Sequence, residues 1–577
     1  MVYRLSDNII SPLGDTIEQN YQAVKSGQSA LSRYERKWNL PEPFTAALFT
    51  NEQADAFAIN GMTRFESIAI SSAQKAIEQA HIDQSQPNVV FILATTKGNV
   101  ESLEVNKEAP RDYYPGDTAQ RIAQYLGITT CPIVACNACI SGVSAIVLAM
   151  RLLDGGFYDY AIVCGADVQN KFTVSGFQSL KAVAEDDCRP FDIERIGLNL
   201  GEAASTMVFM SDRLANEEQN GCWHIERGAI RNDAFHISSP SKNGEGARLA
   251  LSATHAFDVV DQLSFVNAHG TATMFNDQME SVAIERAGLN TVPVNALKGY
   301  YGHTMGAAGV LETVICMRSV DDNTILGTRG YSERGVSGKV RLSPNHLPSH
   351  KEAFVKMISG FGGSNAAILA SKHTLFEHRN HNLPTHQKTH HIVLTHDDLQ
   401  IDGEHKSLTS YDGNVITAIY KDFIGDYPKF YKMDMLSRLA FVASELLLQA
   451  EGKSRDIPCD DRAVVLFNHS SSLQADKSYL ATIADDEVFF PSPSVFVYTL
   501  PNIAVAEIAM RNHYHGETSF FILPNKDEHL MNQVIDASFL DNDIESMITG
   551  WLDYEDNGSF IADLYIVEKT NIKISES

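Results

Sequence analysis

The stretch Val134-Ala135-Cys136-Asn137-Ala138-Cys139-Ile140-Ser141-Gly142 decides how this 577-residue chain is read. Apolar residues that read as a buried strand run into small ones, and Val143 to Leu153 read as a helix. The Cys139 sulfur is therefore expected at a helix N-terminus, where unpaired amides and the macrodipole favour thiolate. Two imidazoles in glycine-flanked settings follow far downstream, in Asn267-Ala268-His269-Gly270 and in Gly302-His303. A thiol with two such histidines points to covalent catalysis through sulfur. A lone cysteine would be read as an ordinary buried thiol, but the strand-turn-helix setting and both histidine motifs argue against that. Cys136 and Cys139 also spell C-x-x-C. No second C-x-x-C exists to complete a zinc site, so no metal is expected, and nothing nearby resembles a thioredoxin-like unit.

Further segments extend the pattern. Ser11-Pro12-Leu13-Gly14 with Gly27 and Ser29 stands near the start, then Arg189-Pro190-Phe191-Asp192 with Gly201-Glu202-Ala203. His269-Gly270-Thr271-Ala272-Thr273 is followed by Asp277 and Glu280, and then by Lys298, Gly302-His303, Gly306-Ala307-Ala308-Gly309 and Glu312. Phe361-Gly362-Gly363-Ser364-Asn365 comes last. In order and spacing, these segments resemble the β-ketoacyl-acyl-carrier-protein synthases, the decarboxylating condensing enzymes of the thiolase superfamily. The resemblance runs from residue 3 to about 371. It implies an α/β fold, a thiolase-like five-layered αβαβα core of two similar halves.

The resemblance also implies roles. Cys139 would be the nucleophile, and the amides of Cys139 and Phe361 the oxyanion hole. His269 and His303 would donate to the thioester oxygen of a malonyl unit as carbon dioxide leaves. Lys298, paired with Glu312, would either tune that field or form a plain structural salt bridge. Thr271, Thr273, Asp277, Gly362 and Gly363 would support the site. The chemistry explains the residue types: joining two thioesters through carbon needs a soft nucleophile for one acyl group and stabilised negative charge on the other. Both rings must present an N–H, so their tautomers matter more than their charge.

Biosynthetic thiolases carry a second cysteine where this chain has Phe361-Gly362-Gly363, and chain-initiating synthases carry asparagine at the place of His303. Elongation is thus favoured. The implied reaction is ping-pong, with acyl transfer from an acyl carrier protein to Cys139 and then decarboxylative condensation with malonyl-carrier protein, without metal or organic cofactor. Two features depart from the elongating pattern and bear on acyl-chain shape. Ser359 stands for a bulky residue two before the gating Phe361, and Ile193-Glu194-Arg195-Ile196 replaces the common Asp-Arg-Asp-Gly-Phe stretch. Rival readings are a non-catalytic scaffold or chain-length-determining partner of another synthase, and an acyltransferase or malonyl decarboxylase that never condenses.

The length exceeds one ordinary domain, and 44% apolar residues support large cores. A net charge of 46 − 72 = −26 argues against nucleic acid or an anionic membrane as partner. Eight scattered cysteines and a nucleophile that must stay reduced fit the cytoplasm. The N-terminus shows no apolar signal region. The apolar run Val134 to Leu153 is broken by Asn137, Ser141, Gly142 and Ser144, so it reads as strand plus helix rather than a membrane span.

A catalytic unit is expected over 1–371, in halves of about 1–210 and 211–371, followed by a linker over 372–391. The linker holds His373, His378, His381, His386, His390 and His391 without apolar periodicity. Beyond it the chain restarts. Met433-Asp434-Met435-Leu436 aligns with Met62-Thr63-Arg64-Phe65, Val464 to Phe467 with Val90 to Leu93, and Pro501 to Ala509 with Pro115 to Ala123. This second copy, 392–577, has Phe520 to Asp527 where the elbow should fall and no cysteine after Cys459. It resembles the chain-length-factor partners of aryl polyene and related pigment synthases. That implies an inactive third half able to wall off an acyl tunnel, with Phe489, Phe490 and Phe496 as candidate wall residues, in a homodimer or a pseudo-heterodimer with the tail.

Overall fold

Three sheets, each with a core of five strands in identical connectivity, form the framework; short strands at Arg341–Leu342 and at Asp398–Ile401 and Glu404–Ser407 extend the second and third. The computed structural model describes residues 1–105, 113–216, 219, 221–377, 383–408, 414–453, 457–485 and 489–570. The first sheet comprises β1 (Val2–Ile10), β2 (Val89–Ala94), β3 (Ile133–Ala135), β4 (Tyr160–Asp167) and β5 (Ala203–Ser211). Their order is β3-β2-β4-β5-β1, parallel about β2 and antiparallel in the last two pairs. The second sheet repeats it with β6 (His224–Asn232), β7 (Leu263–Asn267), β8 (Pro293–Asn295), β9 (Ala353–Gly360) and β10 (Ser364–Ser371), ordered β8-β7-β9-β10-β6. The third comprises β11 (His386–Thr395), β12 (Arg462–Asn468), β13 (Thr518–Ile522), β14 (Ser546–Tyr554) and β15 (Phe560–Lys569), ordered β13-β12-β14-β15-β11.

Helix α1 (Arg64–Ala80) covers the outer face of the first sheet beside α2 (Pro115–Tyr125), and α3 (Ser141–Asp154) lies between the first two sheets. Helix α4 (Glu245–Ala253) covers the second sheet beside α5 (Met274–Arg286), and α6 (Ala308–Asp321) joins α3 in the middle layer. Layers of helix, sheet, helix, sheet and helix result. Buried on both faces, the parallel strands read as unbroken apolar runs such as Val89-Val90-Phe91-Ile92-Leu93-Ala94. The α3–α6 crossing explains one glycine motif. A Cβ on Gly142 would lie 2.8 Å from the Gly306 carbonyl, and one on Gly309 2.5 Å from the Val143 amide nitrogen.

The third unit follows the internal repeat. Helix α7 (Met435–Glu451) matches α1 in length, and their N-caps, Asp434 and Thr63, stand at aligned positions. Each side chain accepts amides of its first turn. Helices α8 (Asn502–Asn512) and α9 (Glu528–Ser538) follow. Strand β13 pairs antiparallel with β3, Phe521 opposite Ala135 and Ile522 opposite Val134, so the first and third sheets join edge to edge within one chain. Helix α9 packs on α3. Whereas α3 is buried from Ser141 to Leu153, α9 turns Glu528, His529 and Asn532 to solvent, consistent with a helix covered on one side.

One expectation needs correcting. The linker ends earlier than residue 391, because β15 supplies a partner edge on which residues from His386 onward form β11. Its histidines are also dispersed rather than clustered: His390 meets Asp402 at 2.8 Å, His391 meets Asp563 at 2.7 Å, and His386 meets Asp536. His378 and His381 lie outside the described residues. The Val134 to Leu153 run is divided among β3, a turn and α3, and no helix among the described residues is long and apolar enough to cross a membrane.

A buried charge network ties the units together. Arg151 of α3 bonds Glu517 at 2.5 Å and Asp541 at 3.0 Å, and Arg231 of β6 bonds Asp541 at 2.7 Å. Burial alone would raise the Asp541 carboxyl, but Arg231 and Arg151 outweigh it and hold it at about 2. With the folded value below the unfolded one, this group contributes roughly 2 kcal/mol above about pH 4, which is lost as pH falls through about 2. Arg151→Met is expected to lower stability by about 3–5 kcal/mol in urea unfolding at neutral pH, because it strands buried carboxylates. The deficit against the parent should shrink as pH approaches 3.

Candidate active site

The nucleophile turn is built by short polar side chains. Ala138 adopts φ 49°, a left-handed value that costs an alanine about 1 kcal/mol, and a 3-10 turn, Ala138–Ile140, then delivers Cys139 to the foot of α3. Ser141 Oγ accepts from the Asn137 amide at 2.9 Å and donates to the Ala138 carbonyl at 2.6 Å. Asn137 Oδ1 accepts from the Phe520 amide of β13 at 2.6 Å. The third unit thus braces the elbow from behind.

His269 stands just past β7. Its amide and that of Gly270 donate to the Glu280 carboxylate at 2.6 and 2.8 Å, while Asp277 accepts from the amides of Phe191 (2.6 Å) and Ala272 (3.2 Å). Asp277 and Glu280 lie one turn apart on α5, which is why this spacing holds the 269–272 turn. Thr271 and Thr273 share a hydroxyl contact of 2.9 Å. Gly302, at φ 65°, leaves no room for a Cβ beside Leu200, and the His303 amide donates to the Asn199 carbonyl at 2.7 Å. His303 Nδ1 accepts from the Met305 amide at 3.2 Å, which puts its ring proton on Nε2. That nitrogen and His269 Nδ1 are buried without a partner among the described residues. The two rings meet edge to face, centroids 4.9 Å apart, and the Cys139 sulfur and one nitrogen of each ring lie within 4.8 Å of one another.

Beneath them Glu312 of α6 binds Lys298 at 2.7 Å and Lys356 at 2.6 Å, all buried. Burial would raise the Glu312 carboxyl, but the two ammonium groups outweigh it and keep it ionised. Lys356 is the participant that sequence reading missed. Its signal is a lysine inside the apolar run Ala353-Phe354-Val355-Lys356-Met357-Ile358, which must have a buried partner. Asp167, at the end of β4, was also missed. It accepts from Thr95, Thr96 and the Gly306 amide (2.6 Å), pinning the glycine turn against the elbow.

The thiolate expectation is overturned. Burial pushes the Cys139 thiol up to about 12; Lys298 and the amides of Cys139 and Phe361 pull it down and Asp167 pushes it up, without reversing the shift. Burial, with Lys298, His303 and Lys356, holds His269 well below the ordinary histidine value, and burial with both lysines does the same to His303. The resting site is a neutral thiol beside neutral imidazoles.

A cleft of about 350 Å³ opens over these three side chains, with Thr271 and Thr273 on its wall. Ile196 and Phe275 stand exposed at its mouth, and Ser359 Oγ, bonded to Asn365 at 2.7 Å, takes less room than a bulky residue would. Gly362 (φ 87°) and Gly363 (φ 67°) turn the loop behind Phe361, whose carbonyl accepts from Asn502 of α8 at 2.9 Å. Of the three aromatics expected as tunnel wall, Phe496 reaches the cavity behind Cys139. Phe490 is 79% exposed, and Phe489 is only partly buried, packed against the cluster that contains Phe496.

Residues 7–215 match the family model of the β-ketoacyl synthase N-terminal domain, and residues 224–332 that of the β-ketoacyl synthase C-terminal domain. The chain belongs to the β-ketoacyl synthase family. It is accordingly a condensing acyltransferase of the ketosynthase, thiolase-like fold. Nodulation protein E of Rhizobium meliloti is 26% identical over 329 residues, 53% of this chain and 82% of that protein. 3-Oxoacyl-[acyl-carrier-protein] synthase 2 of Vibrio cholerae is 27% identical over 402 residues, 63% of this chain and 96% of that protein. The PfaC keto synthase-chain length factor structure covers 98% of this chain and 78% of its own length, with TM-score 0.73 and 15% identity, a likeness of fold.

The raised thiol value sets a measurable pH dependence. Alkylation of Cys139 by iodoacetamide should climb about tenfold per pH unit through the neutral range, following the thiolate fraction. A plateau below pH 7 would instead mean a preformed thiolate–imidazolium pair.

Proposed function

We propose that the protein elongates acyl chains by decarboxylative condensation on Cys139. The observation that carries this reading is the meeting of the sulfur with two neutral imidazoles, one with its proton fixed on a buried nitrogen that has no partner among the described residues. An acyl group arrives on an acyl carrier protein; Cys139 sulfur attacks its carbonyl while the amides of Cys139 and Phe361 hold the oxyanion, and the C–S bond to the carrier breaks as the carrier thiol leaves with the proton that Cys139 gives up. A malonyl-carrier protein follows. His269 and His303 donate to its thioester oxygen as carbon dioxide leaves, and the resulting carbanion attacks the acyl-enzyme carbonyl, releasing a 3-oxoacyl-carrier protein and the Cys139 thiolate, which takes a proton from water. Each donor supplies about 3 kcal/mol of barrier in such a dry site. Lys298 and Lys356, clamped on Glu312, keep both imidazoles neutral. A nucleophile that must stay reduced fits the cytoplasm.

In this reading the residues from 392 onward act as a chain-length factor held in cis, which agrees with the likeness to the PfaC keto synthase-chain length factor. Phe177 stacks on Phe361 with centroids 5.8 Å apart and meets Phe496 edge to face at 5.4 Å, leaving about 10 Å³ behind Cys139. The Phe496 ring also fills the space that a side chain at Gly176 would need. An acyl chain enters as these rings part, and the third unit ends its path. Fatty acyl and conjugated polyenyl or aryl-polyenyl chains are the substrate classes for such an apolar route.

Mass spectrometry after incubation with acyl- and malonyl-carrier protein tests the reading. The parent should give an acylated Cys139 peptide and a 3-oxoacyl carrier. Cys139→Gln should release carbon dioxide without condensation, and His303→Ala should lower kcat about 10²–10³-fold. Carbon dioxide release with no 3-oxoacyl product from the parent would leave only a decarboxylase. Phe496→Leu should shift the acyl groups found on Cys139 toward longer chains; an unaltered length distribution would remove the third unit from chain-length control.

A further inference from the structure

The hairpin tip between β9 and β10 lies against the nucleophile turn. Gly360 ends β9 so near the turn that a Cβ there would sit 3.2 Å from the Cys139 amide nitrogen. Phe361 comes next, its amide close enough to the Cys139 sulfur to lower the thiol value. Gly360 pairs with Ser364, so residues 361–363 lie outside the ladder, and Gly362 and Gly363 both take positive φ. Their carbonyls are held from outside. Asn232 donates to Gly362 at 2.9 Å, and the Asp233 amide and Asn365 donate to Gly363 at 2.8 and 2.9 Å, while the Gly362 amide donates to the Ile237 carbonyl at 2.7 Å. Those partners all belong to the second unit. The Phe361 carbonyl instead accepts from Asn502 Nδ2 of α8, in the third unit, at 2.9 Å.

Asn502 is buried at the first position of α8, and its side chain is turned to Phe361 rather than to its own helix. Its Oδ1 is buried without a partner among the described residues. A side chain that only filled the junction would be better apolar, since an unmade buried acceptor is destabilising. The fit to the tip is close: a Cβ on Gly362 would come within 2.9 Å of Asn502 Nδ2. In the first copy the aligned residue is Gly116, which has no side chain to make such a contact. The carbonyl and amide of Phe361 flank one Cα, so with the peptides planar two torsions decide where the N–H points. Asn502 holds one end of that unit, and the stack on Phe177 holds the ring. A hydrogen bond to a developing oxyanion weakens steeply as the donor tilts away.

We propose that Asn502 is a positioning residue for acylation: by holding the Phe361 carbonyl from across the junction, it aims the Phe361 amide at the oxyanion formed when a carrier thioester meets Cys139. The third unit then contributes to the chemical step itself. This rests on the Cys139 acylation and the Phe361 oxyanion hole proposed above. The test compares the full-length parent with Asn502→Leu, which fills the space without a donor, and Asn502→Ala, which empties it, in two reactions of Cys139. Acylation, followed by mass spectrometry with the straight-chain acyl-carrier protein that reacts fastest with the parent, passes through an oxyanion; alkylation by iodoacetamide does not. In both variants the maximal acylation rate should fall about tenfold to a hundredfold at an unchanged half-saturating carrier concentration, while the alkylation rate and its pH profile stay as in the parent. Acylation as fast in Asn502→Leu as in the parent would overturn the inference and reduce Asn502 to packing. Acylation and alkylation slowing together would overturn it too, because a disturbed nucleophile turn would then be the cause. Should one variant not fold, the other decides; if neither folds, Asn502 is a strut of the junction and the inference falls. A parent that takes no acyl group from any carrier sinks the proposed function first, whereas an acylated parent with unaffected variants leaves that reading intact.

Discussion

The short antiparallel pairing of β3 with β13 is the contact on which the site depends. Strand β3 is an edge, and its last residue leads directly into the turn that presents Cys139. An unpaired edge would leave backbone donors and acceptors exposed and the turn free to shift. Pairing with Phe521 and Ile522 satisfies that edge, and the Asn137 to Phe520 bond extends the order into the elbow. The same junction brings Phe496 and Leu500 to the cavity behind the sulfur. One interface therefore serves both the Cys139 turn and the cavity behind it.

Charge at the site is arranged to be paired below and absent above. Glu312 shares two lysines in the buried layer, leaving a local excess of positive charge under the imidazoles. Combined with burial, this makes protonating either ring costly. Neutral rings can give a directed N–H to a developing oxyanion without presenting an acid that would quench a carbanion. Helix geometry alone had suggested a thiolate. In a dry pocket the desolvation of a charged sulfur outweighs the pull of nearby amides and favours the neutral thiol.

How far the sequence could be read follows from locality. The elbow, the turn after β7 and the turns at 302–309 and 361–365 each depend on a few adjacent residues, with glycine where a backbone approaches another or adopts positive φ, so their motifs were legible. The spacing of Asp277 and Glu280 was legible as well, since one helical turn sets both carboxylates under one loop. Lys356 and Asp167 were not recognised, because each acts on residues remote in the chain and shows only as a charge within or ending an apolar strand. The histidines before β11 suggested a linker by composition, whereas an available strand edge at β15 decided that part of them would pair.

By itself, the sequence determined the repeated α/β halves, the Cys139 turn with its two histidine motifs and the loss of the elbow in the third copy, because periodicity, caps and turn chemistry are written in neighbouring residues. Only the tertiary structure decided that the third copy pairs with the first within one chain, that burial works against a thiolate and that Glu312 is shared by two lysines. Those outcomes depend on burial and on contacts between residues hundreds of positions apart, and neither desolvation nor long-range pairing has a local signature.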